Sequence, residues 1–73
     1  MDSLEKQILV QISEKLLMKK DEMVLFLEGK TEEPLKAVNL IVQNLISQNF
    51  IAAAPVGAMM YAVTQKGMRA ARV

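Results

Sequence analysis

Residues 45–67 read LISQNFIAAAPVGAMMYAVTQKG, and this stretch decides the fold. Two apolar arms, residues 50–54 and 59–63, flank the turn-forming residues 55–58, a pattern typical of a β-hairpin. The first arm is rich in alanine, which is a poor strand former, so a loop with one ragged pairing is the alternative. The stretch therefore predicts a hairpin near the end of an otherwise helical chain.

Polar residues bound this hairpin on both sides. Asn49 stands before the first arm, and asparagine tolerates the left-handed conformation that often ends a helix. Thr64 follows the second arm and is a suitable N-cap for a short helix over residues 65–72. The hairpin is thus predicted to join two helices.

Three further helices are predicted upstream, over residues 3–17, 21–28 and 34–48, from apolar positions at helical spacing. A buried strand is the alternative for the second, because periodicity alone cannot separate the two in a short apolar run. Residues 18–20 break the pattern, and Lys19 and Lys20 are interpreted as a solvated linker, with phosphate contact as the alternative. The third helix is predicted to face the core with a stripe of apolar residues: Leu35, Val38, Ile41, Val42, Leu45 and Ile46.

Length and composition limit the chain to one domain over residues 1–73, with 52% apolar and 23% charged residues. Histidine and cysteine are both absent, which removes the imidazole bases, thiol nucleophiles and thiolate metal sites of most enzymes. We therefore expect no catalysis, no metal and no cofactor. The first residues do not resemble a signal peptide, and no apolar run reaches the roughly 20 residues of a membrane span. We expect a cytoplasmic protein.

Charge is distributed unevenly along the chain. All eight acidic residues lie in residues 1–33 together with five lysines, whereas residues 34–73 contain four basic residues and no acid. Such asymmetry indicates an anionic partner, although four charges are few beside the dense basic faces of strong nucleic-acid binders. An accidental distribution is the alternative.

The order of elements resembles the winged helix-turn-helix family: three helices, a hairpin called the wing, and a short C-terminal helix. Residues 45–51, LISQNFI, resemble the end of a recognition helix and the entry to the first wing strand, with Asn49 in place of the usual glycine. Residues 61–67, YAVTQKG, are similar to the segment that ends the wing in many regulators of this family. The resemblance implies a mainly α fold with a small β-hairpin.

The resemblance also implies a function, which is binding of double-stranded DNA in transcription regulation, with the third helix in the major groove. Asparagine and glutamine can pair with adenine edges, and lysine can reach phosphate or guanine. An ordinary solvated helix face is the alternative interpretation. The implied DNA-binding residues are Thr31, Lys36, Asn39, Leu40, Gln43, Asn44, Lys66 and Arg69.

Several residues depart from this pattern and favour a second hypothesis. Leu40 stands where members of the family often have arginine, and the hairpin tip has no lysine or arginine, although DNA affinity depends on phosphate neutralisation. The same fold can instead serve as a protein-interaction or dimerisation module, with Val56, Met59 and Met60 as the interface. Filling of the core by these methionines is the alternative interpretation. Either way, we expect a homodimer or a protein partner at the apolar wing.

Overall fold

The computed structural model describes residues 2–55, 57 and 59–73. They form a compact α/β domain of mostly helical content, in which a three-stranded antiparallel sheet covers one part of a helical core. The elements in chain order are α1 (Ser3–Lys15), β1 (Leu17–Lys19), α2 (Lys20–Leu27), α3 (Pro34–Ser47), β2 (Ile51–Ala53), β3 (Met60–Val63) and α4 (Gln65–Ala71). No helix among these residues is long and apolar enough to cross a membrane.

The predicted hairpin is confirmed, and it is part of a larger sheet. β3 lies in the centre, with β2 on one side and β1 on the other. In the register, Ala62 of β3 stands between Ala52 and Leu17. The described residues therefore form three strands rather than the two that the sequence predicts.

The prediction that Lys19 and Lys20 form a linker is wrong. Lys19 belongs to β1, and Lys20 is the first residue of α2. A three-residue strand is too short to show periodicity, and it forms because β3 supplies its hydrogen bonds from more than 40 residues away in the sequence.

The first helix ends two residues earlier than predicted. Leu16 adopts a φ of 71°, and its carbonyl accepts a hydrogen bond from the Val63 N–H at 3.1 Å. Left-handed φ angles are unusual for leucine, whose side chain is bulky. This turn ends α1 and directs Leu17 into the sheet instead of a further helical turn.

The core lies where α1, α2 and α3 meet the inner face of the sheet. Its members have the large apolar side chains predicted for the helices, together with one residue each from β1 and β2. The most buried are Ile8, Leu9, Ile12, Met18, Met23, Leu27, Val38, Leu45 and Ile51. These contacts hold α3 in place and determine which of its faces remains exposed.

The predicted inward stripe of α3 is correct at its centre and wrong at its edges. Val38 and Leu45 are fully buried, but Leu35 is 57% exposed and Ile46 is 40% exposed. Successive residues of a helix turn by about 100°, so these two lie just outside the arc that faces the core. The outward surface of α3 is therefore more apolar than the sequence analysis predicts.

The boundaries around α3 and α4 agree with the predictions. Asn49 has the expected left-handed φ, at 64°. The Thr64 hydroxyl accepts a hydrogen bond from the Gly67 N–H at 3.0 Å, which confirms Thr64 as the N-cap of α4. The same hydroxyl donates to the Asn49 carbonyl at 2.6 Å, so one side chain joins the end of α3 to the start of α4.

Candidate functional site

The outward face of α3 presents every residue that the sequence analysis places there. Lys36, Asn39, Leu40, Gln43 and Asn44 are all exposed. Their spacing of three and four residues makes them neighbours on the helix surface. The predicted exposure is confirmed, and contact with DNA stays a prediction.

A shallow groove of about 370 Å³ runs along one flank of this face, between α3, the start of α2 and β3. Its polar lining residues are Asn39 and Gln43 of α3, Lys20 of α2 and Tyr61 of β3. The remaining lining is aliphatic and comes from Leu40, Val42 and Ile46. No carboxylate lines the groove, so it combines hydrogen-bonding groups with positive charge.

Lys20 of this groove is absent from the predicted site residues, because the sequence analysis favours a solvated linker for it over phosphate contact. Packing of α2 against α3, together with the pairing of β1 with β3, brings the start of α2 to the groove. The Lys20 N–H donates to the Met59 carbonyl at 2.8 Å, which ties this segment to the turn end of the hairpin. The backbone at Lys20 is therefore fixed while its side chain borders the groove.

Glu22 further fixes the start of α2. Its Oε1 accepts a hydrogen bond from the Lys19 N–H at 3.0 Å, and the Lys15 Nζ lies 3.4 Å from its Oε2. The hydrogen bond from Lys19 holds the pKa of the Glu22 carboxyl below its usual value, and the Lys15 ammonium lowers that pKa further. The helix start beside the groove thus contains a stabilised carboxylate that points to Lys15.

The opposite flank of α3 has a different electrostatic character. There Leu40 and Asn44 border a depression of about 220 Å³ that is also lined by Asp2 and Glu5 of the α1 start. Carboxylates repel phosphate, so this flank is poorly suited to a nucleic-acid backbone. Asn44 therefore lies apart from the groove that Asn39 and Gln43 share.

The start of α3 brings together Thr31, Glu33 and Lys36, which line a depression of about 200 Å³ with Ala37 and Leu40. The Lys36 Nζ lies 4.0 Å from the Glu33 Oε2, and both side chains are 72% exposed. Such a surface pair contributes less than about 1 kcal/mol to stability. It does reduce the positive charge that Lys36 offers to a phosphate.

The predicted interface at the hairpin is only partly within the described residues. Met59 is 63% exposed and has a left-handed φ of 56°, so it does not fill the core. Met60 belongs to β3 and is half-buried. Val56 lies outside the described residues. Met59 is thus the part of the wing whose apolar side chain is available to a partner.

The cations of α4 are exposed, but they are not part of the groove. α4 packs mainly against α1, and the Lys66 Nζ lies 5.5 Å from the centroid of the Phe50 ring. Arg69 is exposed on the same helix. The structure therefore places Lys66 and Arg69 on a surface separate from the groove that Asn39 and Gln43 line.

No family model, curated protein or solved structure matches this chain. The function must therefore be inferred from the surfaces described above. Within residues 2–55, 57 and 59–73, no group of three or more aspartate, glutamate, histidine or cysteine side chains is placed to hold a metal ion.

Proposed function

We propose that the chain is a winged helix-turn-helix domain that binds double-stranded DNA through α3 and acts in transcription regulation. The element order, with a strand between the first two helices and a hairpin after the third, supports this fold. The central position of β3 between β1 and β2 also supports it. The proposal describes a cytoplasmic binding protein without catalytic activity, metal or cofactor.

The observation that carries the proposal is the groove beside α3. It combines two exposed amides, Asn39 and Gln43, with the ammonium of Lys20, and no carboxylate lines it. Asparagine and glutamine side chains can form two hydrogen bonds with an adenine edge in the major groove. On this proposal Lys20 neutralises a flanking phosphate, and Thr31 and Lys36 contact the DNA backbone near the start of α3.

The affinity of one chain is expected to be low. The α3 surface has few cations, and Glu33 partly offsets one of them. Each phosphate contact contributes about 0.9 to the slope of log affinity against log salt concentration, so three contacts give a slope of only about 3. A homodimer would double the number of phosphate contacts, so we propose that the chain binds DNA as a homodimer.

A second function, protein interaction, is favoured by a specific observation. Leu35 and Leu40 are each 57% exposed on α3, and Met59 is 63% exposed at the hairpin. Where exposed apolar side chains of this size form one patch, they often mark a contact with another protein. On this hypothesis α3 and the hairpin bind a protein partner and not DNA.

An amide-resolved NMR titration of the chain with a mixed-sequence duplex separates the two functions. At low salt, the DNA proposal predicts chemical-shift changes at the groove residues Lys20, Asn39 and Gln43 that fade near physiological salt. The absence of shifts at low salt overturns it, because electrostatic binding is strongest there. The protein-interaction function then becomes the better explanation.

Charge-matched variants sharpen this test. Lys20→Gln removes the cation of the groove and is expected to lower the salt slope by about 0.9, the value of one phosphate contact. Lys30→Gln removes the same charge from an exposed residue that lies over the Phe26 ring and does not line the groove. Equal losses in the two variants would show that net charge, and not the groove, determines binding.

A further inference from the structure

The exposed side of α4 is a continuous positive stripe. Lys66, Arg69 and Arg72 are all exposed, and their spacing of three residues keeps them on neighbouring positions of the helix surface. The buried side of α4 contains small residues, with Gly67 buried and Ala70 and Ala71 packed against the core. α4 therefore uses one side to attach to the domain and the other to present charge.

This charge is not neutralised inside the molecule. The ion pairs of the described residues are Lys15 with Glu22 and Lys36 with Glu33, and neither involves α4. Residues 34–73 contain no acid at all. The stripe thus keeps its full charge for an external anion.

The last turn of α4 is made more positive by a residue from α1. The Lys6 Nζ donates hydrogen bonds to the carbonyls of Ala70, at 2.8 Å, and Val73, at 2.6 Å. Free carbonyls at a helix end have a partial negative charge. Since Lys6 pairs with one of them, the Ala70 carbonyl, the end of the stripe near Arg72 is less negative than a free helix end.

The stripe and the α3 groove face different directions. Glu5 of α1 lines a depression with α3, whereas the next residue, Lys6, bonds to α4. Successive helical residues point about 100° apart, so α3 and α4 pack on different sides of α1. A duplex is stiff over tens of base pairs, and one that lies along α3 does not also follow α4.

We propose that the α4 stripe is a second site for the phosphate backbone of DNA, so that one domain bridges two duplex segments. This inference rests on the proposed DNA binding of α3. Arginine and lysine on an exposed helix are the residues that contact phosphate without reading sequence. The stripe would add about three phosphate contacts to those of the groove, without added sequence specificity.

The test uses the full chain with two short duplexes, one labelled with a donor dye and one with an acceptor. Bridging is expected to raise energy transfer at low salt, and excess protein is expected to lower it again as each duplex acquires its own domain. In parallel, NMR titration should show shifts at the amides of Arg69 and Arg72 as well as at Asn39 and Gln43.

Two variants with equal charge loss distinguish the stripe from general electrostatics. Arg69→Gln/Arg72→Gln is expected to abolish energy transfer and to leave the α3 shifts in place. Lys15→Gln/Lys30→Gln removes two cations away from both surfaces and is expected to retain bridging. Lys66 is left unchanged because its side chain covers the Phe50 ring.

The possible failures are separable. Shifts at α3 without shifts at α4 overturn the second site and leave the proposed function intact. Shifts at α4 alone support the stripe and overturn DNA binding by α3, whereas no shift on either helix overturns both.

Bridging that persists in Arg69→Gln/Arg72→Gln shows that a dimer joins the duplexes through two α3 helices. Concentration-dependent α4 shifts without DNA indicate an acidic surface of a second copy. Either of these last two results overturns the stripe as a DNA site.

Discussion

α3 and α4 both present one face to solvent, but different forces hold them. α3 is anchored by large apolar side chains, of which Val38 and Leu45 are fully buried. α4 is seven residues long and is anchored through its backbone, by the Thr64 cap and by the close approach of Gly67 to Phe50. The long helix is held by the burial of large apolar side chains, and the short helix is held by backbone contacts.

This difference explains which residues on each helix can change. Burial energy depends on apolar area, so the outward face of α3 is free to have amides, leucines or charges. A backbone contact depends on the absence of a side chain, so α4 tolerates little change at its first turn. The following tests each compare a residue with a matched control. The first pair lies on opposite sides of α3, and the later pairs are two glycines, two hydroxyl residues and two glutamates. They are given in order of decreasing expected effect.

Leu45→Ala should have the largest effect, because it empties a fully buried position of α3. Such truncations cost about 2–5 kcal/mol, and in a domain of this size about 3 kcal/mol lowers the Tm by more than about 10 °C. Leu40→Ala is the matched control on the exposed side and should change stability by less than about 0.5 kcal/mol. Thermal unfolding followed by circular dichroism measures both, and equal losses would contradict burial as the anchor of α3.

Gly67→Ala should destabilise the attachment of α4 by about 2 kcal/mol. A Cβ at this position would overlap the Phe50 carbonyl, so backbone must move. Gly57→Ala is the control, because the nearest atom to a Cβ there is the flexible Met60 side chain at 3.9 Å. Chemical denaturation of the two variants, and hydrogen exchange of α4 amides, should show the loss only for Gly67→Ala. An unchanged midpoint would mean that α4 does not depend on this contact.

Thr64→Ala should cost about 1 kcal/mol, the usual value of an N-cap. It removes the acceptor of the Gly67 N–H and the donor to the Asn49 carbonyl. Ser47→Ala also removes a hydroxyl that bonds to backbone, in this case to the Asn44 carbonyl at 2.9 Å near the end of α3. Its loss should be smaller, since α3 is held by its buried side chains. Equal losses measured by urea unfolding would remove the distinction between the two helices.

Glu22→Gln should have the smallest effect, and it should depend on pH. The folded-state pKa of Glu22 is below its usual value, so its contribution is present above the unfolded pKa and is lost as the pH falls through the folded pKa. The variant is therefore expected to be slightly less stable than the parent near neutral pH and equally stable in acid. Glu14→Gln, at an exposed position of α1, is the control. A difference that persists in acid would show another cause.

The parts of the fold that the sequence predicts correctly are those with local causes. Asn49 tolerates a left-handed φ, and Thr64 caps the residues that follow it. Each of these features depends on a residue and its near neighbours. The exposed side of α3 is also predictable, because helical periodicity separates its polar and apolar positions.

β1 and the full groove could not be predicted in this way. Leu17 pairs with Ala62, and no pattern in three residues indicates a partner so distant in sequence. Lys20 has the same limitation, because it borders the same groove as Asn39 through the packing of α2 against α3. The predicted burial of Leu35 and Ile46 is wrong, because the elements that pack against α3 determine how much of its circumference is buried.

The sequence by itself determined the helices, the hairpin and the chemical character of each exposed side, since these follow from periodicity, capping and turn chemistry within short segments. Tertiary structure alone decided which side chains share a surface. It joined Lys20 to the amides of α3, placed Asp2 and Glu5 on the opposite flank, and turned the α4 cations to a separate side. The physical reason is that strand pairing and core packing between distant segments bring these residues together. The energies of such contacts depend on both segments, so a short stretch of sequence does not reveal them.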